Sequence, residues 1–143
     1  TEIFSSFIIN NKQKLRKSVN EIIKYTKDNN IKLAFSTSTT VNNVDAVFES
    51  LSDQISKDDF HFIGNKSFVK NEKPNPEIYK VTLDKLNLQP EDCLAIEDTE
   101  ESSNSAVNAG IKCIGFPGDY HVEDNFQMCI KKMNLLDQSI FSL

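Results

Sequence analysis

The chain is poor in the residues from which several common binding sites are built. Among its 143 residues are four glycines, and none falls in a Gly-x-x-x-x-Gly-Lys or Gly-x-Gly-x-x-Gly pattern. Neither of the usual glycine-rich nucleotide loops can therefore form. Lys and Arg number 16 against 21 Asp and Glu, giving a net charge of -5, so there is no cationic stripe to neutralise a nucleic-acid backbone. No run of 18 apolar residues is present to cross a membrane, and the first residues lack a charged leader followed by an apolar block. The expected setting is soluble and cytoplasmic. The three cysteines, Cys93, Cys113 and Cys129, form no close-spaced pair and sit in apolar surroundings, which fits reduced core thiols better than disulfides or zinc ligands. What remains, 38% hydrophobic and 26% charged, suffices for one globular domain with a core.

The most informative stretch is Cys-Leu-Ala-Ile-Glu-Asp-Thr-Glu-Glu, from Cys93 to Glu101. Four apolar residues entered from Pro90 read as a parallel strand buried on both faces, and Glu97-Asp98 stand at its carboxyl end. In an open α/β sheet that end opens on the ligand crevice. Two hard oxygen donors there suit Mg²⁺, which takes one or two protein carboxylates and completes its shell with water and phosphate. The plainer alternative is that the pair only caps the next helix.

Strands and helices alternate around this segment. Leu15, Val19, Ile22 and Ile23 recur at helical spacing opposite Lys14, Arg16, Lys17, Glu21 and Lys24, which predicts an amphipathic helix ending near Asp28-Asn29-Asn30. Ile31 to Phe35 is a predicted strand, and it ends in five hydroxyl residues, Ser36 to Thr40. Hydroxyls with free N–H groups at a helix start make an anion site, although Ser and Thr are also ordinary N-caps. A helix through Val41, Val44, Val47, Phe48 and Leu51 follows, then a short strand over Phe60 to Ile63, in which His61 reads as a packed or edge residue.

Lys70 to Tyr79, Lys-Asn-Glu-Lys-Pro-Asn-Pro-Glu-Ile-Tyr, places Lys73 ahead of two prolines that keep the preceding backbone out of helix, so Lys73 is expected in an extended loop. A lysine fixed in this way is a compact cation for a phosphate or an anionic intermediate, whereas Lys70 reads as solvated. Ile78, Tyr79, Leu83 and Leu86 form the inner face of the next helix. After the Glu97-Asp98 strand come a helix with small side chains at Ser102, Ser105, Ala106 and Ala109, stopped by Gly110, and a strand over Lys112 to Phe116. Phe126, Cys129, Ile130 and Met133 are at helical spacing.

The hydroxyl cluster, the Lys-Pro-x-Pro-x-x-Tyr loop and Glu-Asp, in this order, resemble motifs II, III and IV of the haloacid dehalogenase (HAD) superfamily. Ser36 to Ala46 and Asn125-Phe126 resemble its CbbY branch of sugar-phosphate phosphatases, close to the β-phosphoglucomutases. Leu15-Arg16-Lys17-Ser18-Val19 is similar to the Leu-Arg-Pro-Gly-Val by which that family leaves its helical cap. The resemblance implies an α/β Rossmann-like core with a parallel sheet and helices on both faces. It implies that Thr37 and Ser38 bind the transferring phosphoryl group, that Lys73 neutralises charge on it and on the nucleophile, and that Asp98 holds Mg²⁺ directly with Glu97 binding it directly or through a water. The implied partner is a small phosphorylated metabolite, a sugar phosphate, with no nucleic acid and no membrane.

Two departures accompany it. No Asp-x-Asp occurs in the chain, although in the family that motif ends the central strand and supplies the nucleophile and the acid-base group. Ser102 stands where the family usually has Gly. The chain opens at Thr1 without Met, and Phe4, Phe7 and Ile8 share a helical face, so residues 1–13 read as the end of the helical cap and 14–143 as the core. A sheet without its first strand would leave the flanking strands to pair directly or to expose an edge for self-association. The expected function is a Mg²⁺-dependent phosphatase acting through an aspartyl-phosphate, this chain alone being inactive. The alternatives are a non-catalytic remnant or phosphate-binding module, and a β-phosphoglucomutase-like mutase.

Overall fold

The computed structural model describes residues 2–5, 18–118 and 120–143. A six-stranded, all-parallel sheet has the order β3-β2-β1-β4-β5-β6, with β1 Glu2–Ser5, β2 Leu33–Phe35, β3 Phe62–Ile63, β4 Cys93–Glu97, β5 Lys112–Gly115 and β6 Lys131–Lys132. The helices are α1 Val19–Asp28, α2 Val41–Ser50, α3 Glu77–Leu86 and α4 Glu100–Asn108.

Alternation along the strands divides the core into two layers, as a sheet covered on both faces requires. Leu33, Phe35, Leu94, Ile96 and Ile114 face one side and pack with Val19, Ile22 and Ile23 of α1 and Val44 and Phe48 of α2. Ala34, Cys93, Ala95 and Cys113 face the other and pack with Ile78, Tyr79, Leu83 and Leu86 of α3 and Ala106 of α4. The small residues of α4 allow the close approach that their side chains suggested. All three cysteines are free thiols; Cys93 and Cys113 are buried and Cys129 is half-buried against the second layer.

Three sequence expectations give way. Residues 2–5 form a strand rather than a helix, and that strand occupies the central position expected to be missing. The Asp-x-Asp strand is absent, but its slot is filled: Ile3, Phe4 and Ser5 register with Leu33, Ala34 and Phe35 of β2, while Glu2 to Ser5 register with Cys93 to Ile96 of β4. The flanking strands therefore neither pair directly nor expose a central edge. The sheet's edges are instead the two-residue strands β3 and β6, the latter two exposed lysines, short and charged in the manner that discourages edge pairing. Phe7 and Ile8 with the rest of residues 6–13 of the expected cap segment, and Leu15 of the expected first core helix, lie outside the described residues.

The second correction concerns the C-terminal segment. Phe126 to Met133 is not helical: Phe126 has φ 50°, and Ile130 N–H and Met133 N–H donate to the carbonyls of Cys113 and Gly115 to add β6 to the sheet. Third, Lys73 lies in a turn closed by Asn75 N–H on the Glu72 carbonyl, with a cis Lys73-Pro74 bond, rather than in extended chain. At Ser18, φ is 81°, a left-handed value that glycine meets more easily. Its hydroxyl nevertheless accepts from Leu136 N–H at 3.0 Å, tying the C-terminal segment to the start of α1.

Candidate active site

Strand order reverses between β1 and β4, where an open α/β sheet places its ligand crevice. A cleft of about 820 Å³ opens there, lined by Thr37, Ser38 and Thr39 beyond β2, by Glu72 and Lys73, by Asp98 to Ser102 beyond β4, and by His121 and Asp124. The residues singled out from sequence thus converge on one crevice, with Glu97 immediately beneath it.

The five hydroxyl residues divide their tasks. Ser36 is fully buried and hydrogen-bonds Thr82 at 2.8 Å. Thr40 is the N-cap of α2, accepting from Asn43 N–H, and Thr39 accepts from the Asn43 amide. Thr37 and Ser38 are left on the cleft, Thr37 Oγ1 accepting from Thr39 N–H at 3.1 Å. Capping therefore falls to Thr40, while Thr37 and Ser38 line the cleft.

Lys73 is fixed from several directions. Its own N–H donates to Ser38 Oγ at 3.3 Å, and Ser105 Oγ of α4 donates to the Asn75 carbonyl at 2.7 Å. Its ammonium, on a side chain 10% exposed, pairs with Oε2 of Glu97, which is completely buried. Tyr79 O–H donates to the same oxygen at 2.6 Å, and the ammonium lies 5.2 Å from the centre of the Tyr79 ring. Lys70, by contrast, contributes its backbone: its N–H and that of Asn71 donate to Glu77, holding that carboxyl below the usual carboxylate range.

Asp98 ends at the cleft. Burial, and then the neighbouring Glu97 carboxylate, raise its carboxyl above the ordinary range. Gly118 N–H donates to the Asp98 carbonyl at 3.1 Å, and a β-carbon on Gly118 would come within 3.6 Å of Asp98 Oδ2. Thr99 caps α4 by accepting from Ser102 N–H at 3.0 Å. Ser102 is not among the described residues with positive φ, so a side chain there costs no backbone strain.

Sequence reading missed two contributors to this wall and half the role of a third. His121 and Asp124 gave no local signal. For Tyr79 the sequence offers a place in the Lys-Pro-x-Pro-x-x-Tyr loop and on the inner face of the helix but no polar task; its ring packs in the core while its hydroxyl holds Glu97. His61 lies beside the β3 edge, its Nδ1 accepting from Leu33 N–H, away from the cleft.

The fold and crevice define a doubly wound α/β domain with oxygen donors and one anchored cation at the strand tips. Residues 2–116 match the family model of haloacid dehalogenase-like hydrolases, and the chain belongs to that family. It is 31% identical to the protein CbbY of Cereibacter sphaeroides over 126 residues, 88% of this chain and 55% of that protein. It is 36% identical to the phosphorylated carbohydrates phosphatase of Thermotoga maritima over 96 residues, 67% of this chain and 43% of that protein. The structure of CbbY from Rhodobacter sphaeroides in complex with xylulose-(1,5)bisphosphate superposes with a TM-score of 0.80 at 30% identity, covering 85% of this chain and 54% of that one. The chain thus spans about half the length of the relatives it matches.

Proposed function

We propose that the protein carrying this chain is a Mg²⁺-dependent phosphatase of small sugar phosphates, acting through an aspartyl-phosphate on an Asp that this sequence does not supply. The observation that carries the reading is the convergence of Thr37, Ser38, Lys73 and Asp98 on one crevice, with Lys73 locked onto buried Glu97. Phosphoryl transfer is mainly positioning and charge neutralisation, and these residues suit those tasks. Thr37 through its hydroxyl and Ser38 through its N–H bind the phosphoryl oxygens, and Lys73 neutralises their charge.

The donor chemistry fits Mg²⁺. Asp98 supplies a carboxylate beside the hydroxyls of Thr37 and Ser38, all hard oxygens, although the described residues contain no group of three His, Cys, Asp or Glu that could enclose an ion. Asp98 would therefore hold the ion with water and phosphate completing the shell. When bound, Mg²⁺ stabilises negative charge developing on the phosphoryl oxygens. Glu97 would reach it directly or through a water, but its pairing with Lys73 and Tyr79 gives it a second task, orienting the Lys73 ammonium.

A second reading rests on its own observation. The central strand, Glu2–Ser5, contains no Asp, which favours a phosphate-binding module without turnover. A mutase reading has sequence support in the β-phosphoglucomutase of Bacillus subtilis, 36% identical over 58 residues. The deciding experiment is p-nitrophenyl phosphate hydrolysis with Mg²⁺, run on the 143-residue chain and on a longer protein carrying an Asp-x-Asp segment upstream. Turnover in the longer protein alone is the expected result. Phosphate binding without turnover in both, with both folded, would move the reading to the binding module.

A further inference from the structure

Besides the residues assigned to the phosphoryl group, the cleft is lined by the loop after β5, which is just as firmly built. Gly118 N–H holds the loop to the Asp98 carbonyl, His121 N–H donates to the Gly118 carbonyl at 2.9 Å, and Asp124 N–H donates to the His121 carbonyl at 3.0 Å. Lys132 Nζ donates to the carbonyls of Val122 and Asp124 at 2.7 and 2.9 Å. At its end Phe126, 3% exposed, packs onto Gly115 so closely that a β-carbon there would lie 2.4 Å from the ring.

Within this wall Asp124 Oδ2 accepts from Glu100 N–H, at the start of α4, at 3.0 Å, and lies 3.0 Å from His121 Nδ1. The Glu100 amide, and then the His121 ring, hold the Asp124 carboxyl below its usual range, so it is a carboxylate and an acceptor. With Nδ1 engaged by Asp124, Nε2 is the ring nitrogen left for the cleft that His121 lines. The surroundings of that ring are acidic: Asp98, Glu100, Glu101 and Asp124 line the same cleft. A second phosphate is disfavoured there, whereas a neutral hydroxyl is not.

We propose that His121 is a specificity-determining residue, its Nε2 hydrogen-bonding a hydroxyl on the part of the phosphorylated substrate that is not transferred. Asp124 is its positioning residue, fixing the orientation of the ring. The inference rests on the sugar-phosphate reading and adds to it a contact made by the core domain itself. A ring nitrogen held at the cleft for a hydroxyl favours substrates that carry one, because that hydrogen bond is lost with substrates that do not.

The test compares His121→Leu and His121→Gln with the parent in the full-length protein. Gln keeps a hydrogen-bonding group at similar reach; Leu does not. Kinetics on pentose and hexose monophosphates and on p-nitrophenyl phosphate, which has no such hydroxyl, are read beside calorimetric binding of the same sugar phosphates and of inorganic phosphate. The ratio of sugar-phosphate to p-nitrophenyl phosphate kcat/KM is expected to fall at least about tenfold in His121→Leu, mostly through KM, and to recover in His121→Gln. Without turnover, the same fall in the ratio of sugar-phosphate to inorganic-phosphate affinity supports the proposal. An unchanged ratio in His121→Leu overturns it and leaves the phosphate site standing. Failure of the parent protein to bind either ligand overturns both.

Discussion

Replacing Glu97 with Gln tests the anchoring of Lys73 most directly. The substitution keeps the shape and an oxygen to accept from Tyr79 O–H, but removes the charge that faces the Lys73 ammonium. Glu97 is completely buried and the Lys73 side chain is 10% exposed, so water cannot replace the lost carboxylate without opening the strand tip. Removing one partner of a buried ion pair costs about 3–5 kcal/mol. Because Gln still accepts hydrogen bonds, we expect roughly 2–4 kcal/mol, a large part of the approximately 5–15 kcal/mol that holds a domain folded.

Urea denaturation of the 143-residue chain measures this. With a slope of about 2 kcal/mol per molar, the midpoint should fall by roughly 1–2 M. Lys73→Met in the Glu97→Gln background separates the ion pair from the rest: the double variant should be more stable than the two single losses predict, by about 1 kcal/mol or more. A midpoint moved by less than about 0.3 M in Glu97→Gln would refute the reasoning, since no buried charge would then depend on Glu97.

Further outcomes follow from the same geometry. Lys73→Ala and Asp98→Asn in the full-length protein should each lower p-nitrophenyl phosphate hydrolysis about a hundredfold or more, whereas Lys70→Ala, whose structural contact is made by the backbone, should stay within about twofold. Asp98 also predicts a pH effect on the metal-free chain. Its carboxyl is raised from 3.8 on folding, so its contribution is fully present below that value and is lost as pH rises through the raised one. In EDTA at neutral pH, thermal unfolding of Asp98→Asn should therefore occur at a higher temperature than that of the parent, and the gain should vanish in acid. Gly115→Ala should destabilise the chain by about 1–3 kcal/mol in urea, because the added carbon meets the Phe126 ring beneath the His121 loop.

The legible parts of the molecule are those where chemistry and periodicity are local. Leu33, Phe35, Leu94 and Ile96 announce buried strands, and the strand tips carry their polar residues within a few positions, so the Thr37, Ser38, Lys73 and Asp98 side of the cleft could be assembled from sequence. Glu2–Ser5 could not. Periodicity over four residues does not separate helix from strand, and what decides the matter is the row of backbone groups that β2 and β4 offer on either side. The helical spacing of Phe126 to Met133 lost to the same force, the unpaired outer edge of β5. His121 and Asp124 stayed invisible because their meaning lies in the amide of Glu100, 24 residues from Asp124 along the chain.

The position of the Lys73 ammonium is set by contacts that belong to β4, α3 and α4 and to the turn after β2: the Glu97 carboxylate, the Tyr79 ring, Ser105 on the Asn75 carbonyl, and Ser38 on the Lys73 amide. None of these groups lies on β1. The strand at the centre of the sheet serves as a source of backbone hydrogen bonds, and four residues without an Asp meet that need as well as Asp-x-Asp would. On the proposed function, the phosphate pocket and the nucleophile are therefore separable features of this fold. The pocket depends on side chains packed between helices and strand tips, and the nucleophile on which segment fills one slot in the sheet. A chain with this sequence should consequently retain phosphate affinity when it has no turnover, and restoring turnover is a matter of replacing the occupant of that slot rather than rebuilding the pocket.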